Sequence, residues 1–98
     1  MTFVQIMEFR TDNIDAMGAI TGDWERATEG KRTARRAMMT ADRDEPGRYV
    51  MFIFFDSYES AMENSELPET QENAARMMAM ADGPTTFRNL DVIDESMF

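Results

Sequence analysis

The sequence predicts an α+β domain of the ferredoxin-like type: an antiparallel four-stranded sheet with two helical regions on one face. Three observations carry that expectation. Strand-like apolar runs and helix-spaced apolar stripes follow one another in the order β-α-β-β-α-β. A single strong turn, Asp44-Glu45-Pro46-Gly47, joins the two middle strands directly. The chain has 98 residues, 43% hydrophobic and 30% charged, which suits one folding unit, since domains typically run to about 100–150 residues. Residues 1–98 are therefore expected to form a single domain.

Phe3 to Arg10 is the first strand, rich in bulky apolar residues and stopped by Thr11-Asp12-Asn13. Asp12 is the expected N-cap of a helix that runs to about Glu29. Ile14, Met17, Ile20, Trp24 and Ala27 recur at helical spacing and predict one buried stripe, with Asp15, Asp23, Glu25 and Arg26 on the other side. Thr33 to Asp42 reads as a second, more polar strand. Across the Pro-Gly turn, Arg48 to Phe55 is the most apolar stretch of the chain and closes a hairpin. Asp56 or Ser57 caps a second helical region in which Tyr58, Ala61 and Met62 share a face. Leu67-Pro68 interrupts it, and Pro68 suits the first turn of a continuation. That continuation carries Ala74, Met77, Met78 and Ala81 on one face until Asp82-Gly83-Pro84 ends it. Thr86 to Asp94 is the last strand.

Composition narrows the chemistry. There is no cysteine and no histidine, which removes thiol nucleophiles, thiolate metal sites, the commonest metal ligand and the usual general base. No metal site and no cofactor are expected. The net charge of −9 repels phosphate backbones and anionic lipid surfaces, so neither nucleic acid nor membrane is an expected partner. The same strand order describes RNA-recognition motifs, but their Gly-interleaved aromatic pattern is missing. No apolar run approaches the ~18 residues of a membrane span, and residues 1–9 carry no basic leader pattern, so a cytoplasmic protein is expected. The basic cluster Arg26, Lys31, Arg32, Arg35 and Arg36 either balances the acidic half of the chain or receives an anion. The eleven methionines fill a core or line a permissive apolar pocket.

The strand Tyr49-Val-Met-Phe-Ile-Phe-Phe55 has no charged residue on either face. An open antiparallel sheet normally wets one face and alternates accordingly. With both helical regions on one side, Val50, Phe52 and Phe54 are left needing a cover, and a second copy of the chain is the expected one. A homodimer built sheet to sheet follows.

These residues resemble the dimeric α+β barrel superfamily, most closely its antibiotic-biosynthesis-monooxygenase-like branch. Asp44-Glu45-Pro46-Gly47 is similar to that branch's acidic-Pro-Gly hairpin, and Phe55-Asp56-Ser57-Tyr58-Glu59-Ser60-Ala61 to its entry into the second helix. Leu67-Pro68 matches a short break before that helix resumes. The resemblance implies sheets packed face to face in a dimeric barrel, and in each protomer a pocket between sheet and helices for an apolar, often aromatic, ligand. The expected pocket residues are Trp24, Phe55, Tyr58, Met62, Asn64, Glu69, Met77 and Met78, with Arg36 and Arg88 as candidates to hold an acidic substituent. Two functions follow as expectations: a homodimeric small-ligand-binding protein, or a cofactor-independent monooxygenase or isomerase acting on a small aromatic or polyketide-like compound. Haem degradation, found in some members, relies on a histidine that this chain lacks.

Overall fold

Hydrogen-bonded pairing builds one sheet in the order β2-β3-β1-β4, from β1 (Phe3–Arg10), β2 (Arg36–Ala41), β3 (Arg48–Phe55) and β4 (Thr86–Asp91). Among the described residues three helices complete the fold: α1 (Ile14–Ala27) after β1, then α2 (Tyr58–Glu66) and α3 (Pro68–Met80) between β3 and β4. The structure is a computed structural model and describes residues 2–98. Every neighbouring pair of strands is antiparallel, and the two most apolar strands, β1 and β3, lie at the centre. Among the described residues, no helix is long and apolar enough to cross a membrane.

The register decides which side chains share a face. Phe3 pairs with Phe55, Met7 with Met51 and Phe9 with Tyr49. Met7, Phe9 and Met51 pack with Met17 and Ile20 of α1 and Met77 of α3, while Phe3 and Phe55 pack with Ala61 of α2. The odd-numbered residues of β1 and β3 therefore meet the helices. Val50, Phe52 and Phe54 lie on the opposite face, paired with Glu8, Ile6 and Val4. They are half-buried within the single chain. Part of that shelter comes from Arg36, whose guanidinium carbon sits 5.0 Å from the centre of the Phe54 ring.

Several boundaries differ from the sequence expectation. The N-cap of α1 is Asn13, not Asp12: its Oδ1 accepts the Ala16 N–H at 3.2 Å. Asn and Asp cap equally well, and the choice is made by Thr11, whose hydroxyl accepts the Asn13 N–H and donates to the Met80 carbonyl, tying the loop to the end of α3. The buried stripe of α1 ends on Thr28 rather than Ala27, which is exposed. Thr28 lies one full turn beyond Trp24 and returns its hydroxyl to the Trp24 carbonyl at 2.7 Å, so it is buried without an unpaired polar group. β2 is shorter than Thr33 to Asp42, and β4 stops at Asp91, leaving Ile93 exposed.

The hairpin and the helix break form as the sequence dictates. The Arg48 N–H donates to the Glu45 carbonyl at 3.1 Å, with Pro46 at the first central position and Gly47 at φ +87° at the second, the arrangement a type II turn requires. Ser57 caps α2 through the Ser60 N–H. Leu67 is extended (φ −63°, ψ 129°) because the ring of Pro68 disfavours helical backbone at the preceding residue, and α3 then restarts with Pro68 in its first turn.

Candidate functional site

A cavity of about 180 Å³ lies between the sheet and the helices. Its floor is the helix-facing side of the sheet: Met7 of β1, its cross-strand partners Met51 and Phe87, and Ile53. Gln5 and Ala37, which flank Ile53 in register, complete it. Thr21 and Trp24 of α1 form one wall. The other wall comes from the end of α2 (Asn64 and Ser65) and the start of α3 (Thr70, Gln71, Asn73 and Ala74). The break at Leu67-Pro68 brings these two helix ends together and sets a row of hydroxyls and carboxamides opposite the thioethers of the floor.

Hydrogen bonds fix the walls. The indole Nε1 of Trp24 donates to the Thr70 hydroxyl at 2.9 Å, joining α1 to α3 across the cavity rim. Asn64 is buried, and its Oδ1 accepts the Thr33 N–H at 3.3 Å. The Arg32 guanidinium covers Trp24 at 5.9 Å from the ring centre and is itself held by the Glu25 carbonyl. Among the described residues, none that lines the cavity is ionisable.

Of the expected pocket residues, the structure brings Trp24 and Asn64 together on the cavity. The others lie elsewhere, each for a packing reason. Phe55 fills the contact with Phe3 and Ala61, and Met77 is buried against the other core cluster. Met62 packs beside the Phe55 cluster. Tyr58 is half-exposed, with its ring edge-on to Phe3, and Met78 is half-exposed on the outer side of α3. Glu69 faces outward to an ion pair with Lys31 at 2.6 Å; that ammonium first, and the residue's own backbone N–H second, hold its carboxyl below the ordinary 4.5. Arg36 and Arg88 lie on the helix-free face, the first over Phe54 and the second 3.8 Å from Glu8. The basic cluster is spent on neighbours: Arg26 on Asp23, Lys31 on Glu69, Arg35 on Asp56.

Half of the lining residues that sequence reading missed are polar. Gln5 interrupts an otherwise apolar face of β1, and Thr21 lies one helical turn before Trp24; both signals become readable only when the register is known. Among the described residues no three His, Cys, Asp or Glu side chains converge in a metal-binding group.

Fold and cavity together define a ferredoxin-like α+β domain with an uncharged chamber between its sheet and its helices. The same fold occurs in solved structures described as antibiotic biosynthesis monooxygenases. SnoaB, a cofactor-independent oxygenase from Streptomyces nogalater, superposes with a TM-score of 0.79 at 9% identity, over 96% of this chain and 95% of its own. Rv0793 from Mycobacterium tuberculosis gives 0.79 at 19% identity, over 99% of this chain and all of its own. A structure described as an antibiotic biosynthesis monooxygenase gives 0.74 at 14% identity, over 96% of this chain and all of its own. No protein-family model matches the sequence, and no curated protein matches it.

Proposed function

We propose that the chain forms a homodimer in which each protomer binds a small apolar or aromatic ligand in the cavity between sheet and helices. The observation that carries this reading is the chamber itself: about 180 Å³, floored by Met7, Met51, Ile53 and Phe87 and walled by Trp24. A dry apolar cavity of about 150 Å³ accommodates benzene, so one aromatic ring is the natural size. Drug-sized ligands use about 300–1,000 Å³, and a fused polycycle exceeds the space. Dimerisation is supported by the helix-free face, where Val4, Ile6, Val50, Phe52 and Phe54 adjoin in register. Completing the burial of half-sheltered side chains draws on about 25 cal/mol per Å² of apolar surface removed from water.

A second reading, a cofactor-independent oxygenase or isomerase on a small aromatic compound, is supported by the fold shared with SnoaB. In that case the chamber contributes orientation and desolvation, because no lining side chain titrates and Glu69 and Tyr58 lie outside it.

Binding of single-ring aromatics to the native state must raise the melting temperature and perturb Trp24, the one tryptophan of the chain. Ala74→Leu, which projects new methyl groups into the chamber, is expected to abolish both effects while leaving a folded protein. Retained binding in that variant would place the ligand elsewhere. Sedimentation at micromolar concentration is expected to give twice the 11.3 kDa chain mass, and a species at the chain mass removes the dimer. Oxygen uptake with the same bound ligands separates the second reading from the first.

A further inference from the structure

We infer that the chamber is the inner half of a longer site, which continues into a groove along α1 and selects a single aromatic ring bearing a linear apolar chain. This rests on the ligand-binding reading above and specifies its ligand.

The first observation is continuity. A groove of about 250 Å³ runs between α1 and β2. Thr21, Ala37 and Met51 line both the groove and the chamber, so the two spaces meet at those three residues. The neck they form suits a narrow apolar chain. Ala37 is small, the Met51 thioether is adaptable, and the Thr21 hydroxyl has given its proton to the Met17 carbonyl at 3.1 Å. From Thr21 back to Ile14, about 10 Å along the helix axis, Gly18 forms one side of the groove and Met39 of β2 the other. Among the described residues Glu25 is the one ionisable group on the groove, and it lies a turn beyond Thr21 in the opposite direction. Met39 stands across from Met51 in the sheet and is exposed. A chain lying in the groove covers apolar surface that the fold itself leaves wet.

The second observation is what keeps the groove open. α1 buries Met17, Ile20 and Trp24, and its neighbouring face, with Gly18 and Gly22 one turn apart, looks onto β2. Glycine is the poorest helix former after proline, and packing within the chain requires it at neither position. A Cβ at Gly18 would meet nothing within 4 Å, and one at Gly22 would meet only the end of the Arg26 side chain at 3.6 Å. Larger residues there would strengthen the helix and stand in the groove. A helix of a second copy also fits against such a face, but it cannot pass the neck, whereas a ring with a chain fills both spaces.

The test uses toluene, n-butylbenzene and tert-butylbenzene. The last two are isomers that differ only in whether the chain is linear, so partitioning into any apolar site does not separate them. Trp24 walls the chamber and is the one source of an indole N–H signal, so a ¹H–¹⁵N spectrum of the labelled protein follows binding directly. n-Butylbenzene is expected to bind about tenfold more tightly than toluene, which is less than fully buried methylenes provide because the groove faces water on one side. It is expected to bind about tenfold more tightly than the tert-butyl isomer, whose branched carbon overfills the neck. In Gly18→Leu its advantage over toluene is expected to fall below about twofold, while the melting temperature of the unliganded protein rises because a glycine leaves the helix interior. That rise distinguishes a filled groove from a damaged fold. A linear chain that brings no gain over toluene, a tert-butyl isomer that binds as well, or a Gly18→Leu protein that keeps the full advantage overturns the groove as part of the site. A dimeric parent whose Gly18→Leu variant sediments at the chain mass assigns this face to a second copy and overturns the inference too. Saturable shifts from none of the three probes overturn the ligand-binding reading itself, and this inference with it.

Discussion

Asn64 holds two parts of the molecule together with one carboxamide. It is buried near the end of α2, and its Oδ1 takes the Thr33 N–H from the segment that leads into β2. Asn64→Leu removes the acceptor and leaves that N–H unpaired, at an expected cost of about 1–2 kcal/mol. For a chain of this size that lowers the melting temperature by about 4–8 °C per kcal/mol. Asn64→Asp keeps an acceptor oxygen but buries a carboxylate with no counter-charge beside it, so it is expected to be destabilised at pH 7 and to recover as pH falls, measured by the same thermal scan. The residue was named in the sequence on the family resemblance, which places polar groups at the helix break; Glu69, named on the same ground, turns outward to Lys31. Trp24 was legible as the largest side chain of a helical stripe. Phe55 and Met77 were not separable from cavity walls by sequence: apolar character says that a side chain is inside, but only the register of β3 on β1 shows that Phe55 is stopped by Phe3 and Ala61. Gln5, Thr70 and Asn73 were invisible, since a polar residue on a wall and one on the surface look alike until the helix axes are placed.

At the scale of the element, α3 separates two neighbours that periodicity treats alike. Ala74, Met77, Met78 and Ala81 fit one helical stripe, but Met77 is 2% exposed and Met78 49%. The helix rests on α1 and on the sheet along a narrow line through Met77, with Met80 and Ala81 packed beside it, and Met78 falls a hundred degrees off that line. Met77→Ala is expected to cost about 2–5 kcal/mol as a core truncation, whereas Met78→Ala is expected to stay within about 0.5 kcal/mol; urea unfolding of the two variants checks the difference. Equal losses would mean that another surface covers Met78. The order and type of the elements were written in the sequence because turns and caps are local. The Glu45-Pro46-Gly47 turn and the Leu67-Pro68 break need only their own residues. The outer ends of β2 and β4 were overestimated because edge strands stop where a partner strand ends, and no residue in the edge strand itself records that.

For the molecule as a whole, acid stability follows from where its carboxylates are paired. Asp23 is held below its ordinary 3.8 by hydrogen bonds first from Arg26 and then from Arg76, Asp56 by its bond from Arg35, and Glu69 below 4.5 chiefly by Lys31. These pairs join distant parts of the chain: Asp23 of α1 to Arg76 of α3, the residue after β3 to the approach to β2, and the loop after α1 to the start of α3. A carboxylate whose folded value is depressed binds fewer protons folded than unfolded. Its contribution is therefore complete above the ordinary value and disappears as pH falls through the lower, folded one. Melting temperature is expected to be level from pH 8 to about 5 and to decline below about 4. The decline should be shallow because all three pairs face solvent, and shallower still in 0.5 M salt, where the screening length falls to a few ångströms. The combined variant Asp23→Asn, Asp56→Asn and Glu69→Gln separates this cause from any other. It keeps the shapes and removes the titration, so it should be less stable than the parent at pH 7, and the gap between them should narrow as pH falls below about 4. A gap of unchanged size through the acid limb would show that the three side chains act through packing or neutral hydrogen bonds, and that the acid limb of the curve arises elsewhere in the chain.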